Sequence, residues 1–177
     1  AYDMELTQWS RAITLAEKQA DTCVFSTSHT DARDPNFQWV EPLAVEQVIL
    51  IKTKGSDIAV SNMAAASGLR VGTQTGDYTI GILEKNNFGR IDLSPVPDVT
   101  IKKLKAGRID LMIASASFLE AALANGEPLE QAMVVAESVM SVACSKSTDP
   151  GVVAQMQAAL QSMIDDGTQA AIQAKYN

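Results

Sequence analysis

The sequence predicts an α/β fold with largely parallel sheets. Short apolar, β-branched stretches alternate with helix-length stretches from one end of the chain to the other. Residues suited to helix caps precede the helix-length stretches, and glycines tend to come after them. The chain has 177 residues, 46% hydrophobic and 20% charged, enough for one large domain or two small lobes with a core.

Taken in order, residues 2–7 alternate apolar and polar and read as a strand. Thr7 caps a predicted helix from Gln8 to Lys18, which sets Trp9, Ala12, Ile13 and Ala16 on one face. Residues 21–25 read as a short buried strand, and Ser26–Arg33 as a polar loop. Pro35 and Pro42 keep the next stretch from being helical. Residues 45–54 are rich in β-branched side chains and form the clearest predicted strand, ended by Gly55. Ser61 caps a short helix to Ala66, and residues 69–73 make a strand. Gly76-Asp77 opens a helix to Asn86. Residues 91–96 make a strand, and Asp98 caps a helix from Val99 to Lys105. Residues 109–114 read as a strand and 115–124 as a helix. Two strands, 133–136 and 139–144, precede a long helix from Pro150 to Met163. Asp165-Asp166-Gly167 breaks it, and a last helix runs from Thr168 to Tyr176.

Charge excludes one class of partner. The formal net charge of -7 argues against a nucleic-acid surface, where a basic stripe is expected. Lys102-Lys103-Leu104-Lys105, the longest basic cluster, reads as the solvated face of a helix. No apolar run approaches the roughly 20 residues of a membrane helix. Residues 1–6 lack the basic start and apolar core of a signal peptide, as a processed chain would too. Cys23 and Cys144 each sit in an apolar run; buried free thiols are the first expectation and one disulfide the alternative.

Little catalytic chemistry is visible. His29 is the one histidine, and no Cys-x-x-Cys pair exists, so no metal site or cofactor is expected. Ser26 and Ser28 lie too near His29 in sequence to suggest a nucleophile and its base. Ser26-Thr27-Ser28-His29-Thr30-Asp31-Ala32-Arg33 crowds hydroxyls beside one fixed cation. That chemistry suits a carboxylate, because guanidinium binds it through two parallel hydrogen bonds. On composition alone, a polar surface loop is the simpler reading. Val71-Gly72-Thr73-Gln74-Thr75-Gly76-Asp77 lies between a strand and a helix but lacks the Gly-Lys-Ser/Thr ending of a nucleotide loop. A backbone anion site there competes with a plainer role for Asp77 as the helix cap, and the cap is preferred.

Several separated motifs then agree. Ser26, Ser28, Thr30 and Arg33 match a Ser-x-Ser-x-Thr-x-x-Arg segment, with Phe37, Trp39 and Pro42 after it. Val71, Gly72 and Gly76 match a Val-Gly-x-x-x-Gly turn. Leu104, Gly107, Arg108, Ile109 and Asp110 match Leu-x-x-Gly-Arg-Ile-Asp. Asp166, Gly167, Ile172, Lys175 and Tyr176 match a closing Asp-Gly and Ile-x-x-Lys-Tyr, and Gln8-Trp9-Ser10-Arg11-Ala12 looks like a Pro-Trp-x-Arg-Ala segment, with Gln8 at the proline position. In these respects the chain resembles family 3 of the bacterial extracellular solute-binding proteins, the periplasmic amino-acid-binding type. The resemblance covers nearly the whole chain.

The resemblance implies a type II periplasmic-binding-protein fold: two α/β lobes joined by hinge strands that close over a ligand. Residues 1–43 and 142–177 would form the first lobe and 44–141 the second. It also implies an incomplete first lobe, because the family's opening strand and helix have no counterpart ahead of residue 1. Exchange of elements in a homo-oligomer would be one consequence. Arg33 would pair a ligand carboxylate, helped by Ser26, Thr27 and Ser28, while Thr75, Gly76, Asp77 and Ser115 would line the other lobe. Two departures bear on specificity. Asp77 replaces the family's Thr or Ser, and Ser115 replaces the acid that holds the ligand ammonium. The implied protein is a periplasmic or extracellular, non-enzymatic binder of an amino acid or related carboxylate, serving an ABC-type transporter. A receptor's sensor domain, a dehydratase-like enzyme and a non-binding relative are the alternatives.

Overall fold

A computed structural model describes residues 2–175, so Tyr176 lies outside the described residues. The chain divides into two compact units, Ala1–Val45 with Ser138–Asn177, and Glu46–Glu137. Among the described residues, no helix is long and apolar enough to cross a membrane.

The first unit holds α1 (Trp9–Lys18), β1 (Cys23–Ser28), a 3-10 turn (Asp34–Asn36), α6 (Pro150–Asp165) and α7 (Thr168–Gln173). It also holds the start of β2 (Phe37–Thr53) and the end of β6 (Leu129–Ser145). Trp9, Ala12, Ile13 and Ala16 do share one face of α1, packed on Val24, Phe37 and Ala143. Gln8, not Thr7, precedes the first helical residue and makes no side-chain cap. α6 packs Val153 and Leu160 on Val40 and Cys144. Gln169 and Gln173 of α7 donate to the carbonyl of Leu43 at 2.9 and 2.8 Å.

Residues 2–7 are not a strand. Their alternation has no neighbouring ladder to satisfy their backbone groups, and Tyr2, Met4 and Leu6 are exposed. Together with Trp9, Cys23 and Phe25 these side chains border a groove of about 790 Å³. The first unit's core is correspondingly thin.

β1 pairs antiparallel with β6 through Cys23↔Cys144 and Val24↔Ala143, then, after a shift in register, through Thr27↔Ser141 and Ser28↔Met140. The shift is a bulge at Phe25-Ser26, where Ser26 takes a φ of 56°. Cys23 and Cys144 form a disulfide, which corrects the expectation of free thiols. Their runs are apolar because both strands face the core, and facing registry brings the sulfurs together.

The second unit contains a mixed sheet with strand order β2–β5–β3–β4, made with β3 (Val71–Gln74), β4 (Ile91–Ser94) and β5 (Leu111–Ser115). Only β4–β3–β5 is parallel; β2 and β5 pair antiparallel through Val48↔Ser115 to Ile51↔Met112. Largely parallel sheets were therefore an overstatement. The run Val48–Ile51 is continuously apolar because both faces of β2 are covered here. Ile49 and Ile51 meet Ile101 and Leu104 of α4 (Pro97–Lys105) and Leu119 of α5 (Ala116–Ala124). Val48 and Leu50 meet Ala66 of α2 (Met63–Ala66) and Leu83 of α3 (Thr79–Lys85). Asn62, not Ser61, caps α2, accepting from the Ala65 N–H at 2.9 Å. Asp98 lies inside the first turn of α4, because Pro97 already occupies the opening helical position.

β2 and β6 are each single strands of 17 residues. The sequence splits both, β2 at Pro42 and β6 between Ala136 and Val139. Pro42 stays within β2 because its carbonyl, not an N–H, carries the local bonding: it accepts from Gln169 at 2.8 Å.

Two matched motifs prove to be framework. A Cβ on Gly72 would lie 2.5 Å from Ile109 Cδ1 and 2.7 Å from Thr100 Cγ2, so glycine lets α4 pack closely on β3. Asp110 accepts from Arg70 three times: from the backbone N–H at 2.8 Å, Nε at 3.0 Å and Nη2 at 2.6 Å. This tie fixes the entries of β3 and β5. The bond from the Arg70 side chain holds the Asp110 carboxyl below its ordinary value of 3.8, with burial opposing.

Two outcomes are expected. Reduction of the Cys23–Cys144 bridge should cost about 2–4 kcal/mol, or roughly 5–15 °C in Tm. Thermal scans with and without reductant check this, and alkylation of both cysteines in the unreduced protein would contradict the bridge. For Asp110, a depressed carboxyl gives stability that is present above 3.8 and lost as pH falls through the lower folded value. Asp110→Asn should therefore be destabilised at neutral pH, with the gap to wild type narrowing in acid. Urea unfolding at both pH values measures the gap, and a gap that widens in acid would contradict the assignment.

Candidate ligand site

The Ser26–Arg33 stretch is shaped by the β1 bulge. Ser26 is exposed in its left-handed conformation, whereas Thr27 and Ser28 are buried. The Ser28 hydroxyl meets the Ser138 hydroxyl at 2.5 Å, and Thr27 Oγ1 is buried with no hydrogen-bond partner among the described residues. Direct contact from Thr27 and Ser28 to a ligand is thus restricted.

The backbone then turns. The N–H groups of Arg33 and Asp34 both donate to the Thr30 carbonyl at 2.9 Å, and the 3-10 turn comes next. Arg33 is half-buried. Its Nη1 donates to the Ser28 carbonyl at 3.2 Å, and its guanidinium carbon stands 5.4 Å from the centre of the Trp9 ring. Trp9 and the strand end therefore aim this cation.

His29, Asp34, Glu41 and Ser141 were not read as a group from sequence. His29 Nδ1 lies 2.9 Å from Glu41 Oε2, and Nε2 lies 2.8 Å from Asp34 Oδ1. Its ring stacks on Trp39 with centroids 4.0 Å apart. Burial lowers the His29 pKa, but the hydrogen bonds to Glu41 and Asp34 more than offset it, so the ring titrates above 6.5. Both nitrogens are taken by carboxylates, which is not a nucleophile–base arrangement. Only the uniqueness of His29 marked it in the sequence. Its acid partners are separated by too little pattern to find. Among the described residues, no group of three or more His, Cys, Asp and Glu side chains is arranged to hold a metal ion.

In the second unit, Thr75, Gly76, Asp77 and Ser115 all sit at the carboxyl ends of neighbouring parallel strands, β3 and β5. The chain leaves β3 toward β4 on one side and returns to β5 on the other, so this edge is a topological switch point, where α/β sheets hold ligands. The Thr75 N–H and hydroxyl both donate to the Ser94 carbonyl, at 2.9 and 3.3 Å. Gly76 has a φ of 75°, which glycine adopts without strain. Asp77 Oδ1 accepts from the Thr79 N–H at 2.8 Å, at the start of α3. The helix starts two residues later than the sequence suggested, and Asp77 bonds it from outside. Ser115 Oγ caps α5, accepting from the Phe118 N–H at 3.2 Å.

The family model of bacterial extracellular solute-binding proteins, family 3, matches residues 1–177. Among curated proteins, none matches the sequence. The arginine-, lysine-, histidine-binding protein ArtJ of Geobacillus stearothermophilus superposes with a TM-score of 0.85 at 18% identity, over 99% of this chain and 78% of that one. A histidine kinase sensor domain similar to periplasmic binding proteins gives 0.85 at 17% identity, over 96% and 75%. The ancestral amino-acid-binding protein AncCDT-1, a precursor of cyclohexadienyl dehydratase, gives 0.80 at 17%, over 96% and 74%. At these identities the likeness is one of fold.

Asp77→Ala should lower stability by about 0.5–1.5 kcal/mol through loss of the bond to the Thr79 N–H. The loss should appear in ligand-free thermal melts; an unchanged melt would remove the structural role.

Proposed function

The chain belongs to the bacterial extracellular solute-binding proteins, family 3, and on that footing we propose that it captures an amino acid or related carboxylate for an ABC-type transporter. The observation that carries the ligand class is the Arg33 turn. A cation aimed by Trp9 and the Ser28 carbonyl, beside exposed Ser26, is built to meet a carboxylate. In this reading the Arg33 guanidinium pairs the carboxylate, and backbone groups near Thr27 and Ser28 complete its shell.

The second unit carries its own candidate ligand groups, Asp77 and Ser115, at the ends of β3 and β5. One Asp77 oxygen is engaged at the start of α3, and a carboxylate retains lone pairs for a ligand ammonium. Ser115 offers a hydroxyl at the β5 edge where an acid would give charge. An ammonium therefore has one acidic partner here, Asp77, and an organic acid without an amine has none of its charges opposed by Ser115. These contacts define a ligand panel of basic and neutral amino acids and simple organic acids.

The Cys23–Cys144 bridge supports an oxidising compartment, and hence a periplasmic or extracellular location. The similarity to a histidine kinase sensor domain favours a second reading, in which the same binding event is read by a receptor. A physical partner distinguishes them: co-purification with a transporter permease supports the first, and with a kinase the second.

Calorimetric titration with the panel tests the proposal. Saturable binding of at least one carboxylate is expected, weakened by roughly two orders of magnitude in an Arg33→Ala variant that still folds cooperatively. Equal affinity in Arg33→Ala would remove its role, and turnover of the bound compound would replace binding with catalysis.

A further inference from the structure

The ring of His29 touches two carboxylates at once. Nδ1 stands 2.9 Å from Glu41 Oε2 and Nε2 stands 2.8 Å from Asp34 Oδ1. A neutral imidazole has one N–H, so it can donate to only one of them. The other nitrogen would turn its lone pair toward a carboxylate oxygen. The geometry is satisfied on both sides only by the imidazolium, whose two N–H groups each make a charge-assisted bond.

The two acids are held differently. Glu41 is fixed from three directions. Its Oε2 also accepts from the Ser141 hydroxyl of β6 at 2.7 Å. Its backbone N–H donates to Gln157 Oε1 of α6 at 2.9 Å, and its carbonyl accepts from Gln157 Nε2 at 2.8 Å. Asp34 belongs to the short 3-10 turn directly after Arg33, and its side chain is 63% exposed. The ring itself is pinned by stacking on Trp39, and the His29 backbone N–H donates to the Val139 carbonyl at 3.3 Å. Among the described residues, the charged groups bonded to the ring are Glu41 from β2 and Asp34 from the 3-10 turn. β6 and α6 contribute neutral groups, Ser141 and Gln157. Arg33, the nearby cation, is directed to the Ser28 carbonyl and Trp9 of α1.

We propose that His29, as an imidazolium, is a positioning residue that ties the Arg33-bearing turn to β2 and β6, so that carboxylate binding at this turn weakens as His29 loses its proton. When the proton leaves to solvent, one of the two contacts becomes a lone pair facing a carboxylate. Asp34, exposed and held by less, is the contact that is lost. The 30–36 turn then loosens, and the direction of Arg33 with it. The binding half of this inference rests on the carboxylate reading of Arg33; the positioning half does not.

The sign agrees with linkage. A histidine titrating above 6.5 in the folded chain contributes stability that is fully present below 6.5 and is lost as pH rises through the folded value.

Because His29 is the one histidine, its ring Cε1–H gives a single histidine titration by proton NMR on the full chain. The ligand-free protein should titrate above 6.5, and Asp34→Asn should move the midpoint down. Hydrogen exchange at the Arg33 and Asp34 amides, corrected for intrinsic pH dependence, should accelerate above the ring's midpoint in wild type. In His29→Gln it should be fast and independent of pH. Affinity for L-arginine, whose carboxylate stays ionised throughout, should fall about tenfold across the same midpoint, the weight of one charge-assisted bond. A ring midpoint at or below 6.5 overturns the proposal. So does a raised midpoint with unchanged exchange at both amides. If no panel member binds at any pH, the carboxylate reading fails, and the ring and exchange measurements still decide the positioning role.

Discussion

The first unit depends on the pairing of β1 with β6. That pairing sets Cys23 opposite Cys144, closes a covalent loop across a sequence separation of 121, and then shifts register at Ser26. The shift is what turns Ser26 outward while Thr27 and Ser28 go inward. It also delivers the chain to the turn where Thr30 accepts from two successive N–H groups and Arg33 folds back on Trp9. A bulge re-aims the residues beyond it, and here it leads a plain strand end into a turn carrying a directed cation. The disulfide matters more because the neighbouring core is thin: Tyr2, Met4, Leu6 and Phe25 contribute apolar surface without burial.

The second unit depends on a different constraint, the close approach of α4 to β3 across Gly72. Without a side chain there, Ile109 and Thr100 fill the space, and the Arg70–Asp110 pair locks the entries of the two strands. Rigidity at the entries leaves the opposite, carboxyl ends to carry polar loops. Thr75–Asp77 and Ser115 lie there; the Thr75 hydroxyl donates to the Ser94 carbonyl of β4, and Asp77 and Ser115 accept from the Thr79 and Phe118 N–H groups at the starts of α3 and α5. The polar groups thus hold the local structure and still present atoms at the strand ends.

Much of this architecture was legible in the sequence, and the misses have physical causes. The β-branched run at 45–54 and the apolar face of α1 identified their elements because burial on two faces or one leaves a clear pattern. Alternation at residues 2–7 misled because a strand needs a neighbour, and periodicity says nothing about neighbours. Pro42 and the Glu137-Ser138 step hid the length of β2 and β6, since local breakers are weak against a long ladder. The Gly-Arg-Ile-Asp segment was seen, but its purpose was not: Asp110 serves Arg70, forty residues away in sequence. Cys pairing and the His29 cluster arise from contacts between distant segments, 23 with 144, 29 with 41, and 41 with 141, which no local pattern announces. Within the candidate site, Arg33 and Asp77 stood out as charged residues in polar turns, whereas the burial of Thr27 and Ser28 comes from a bulge that sequence did not reveal.

Ligand capture at this turn hinges on one proposed pairing, the Arg33 guanidinium with a ligand carboxylate. The most direct measurement is an NMR titration that tracks the Arg33 Nε–H resonance while each amino acid or organic acid of the panel is added. A saturable shift of that resonance is expected for the compound that binds, accompanied by the Trp9 indole N–H at the same midpoint. Saturable binding detected elsewhere in the protein, with the Arg33 and Trp9 resonances unmoved, would contradict it.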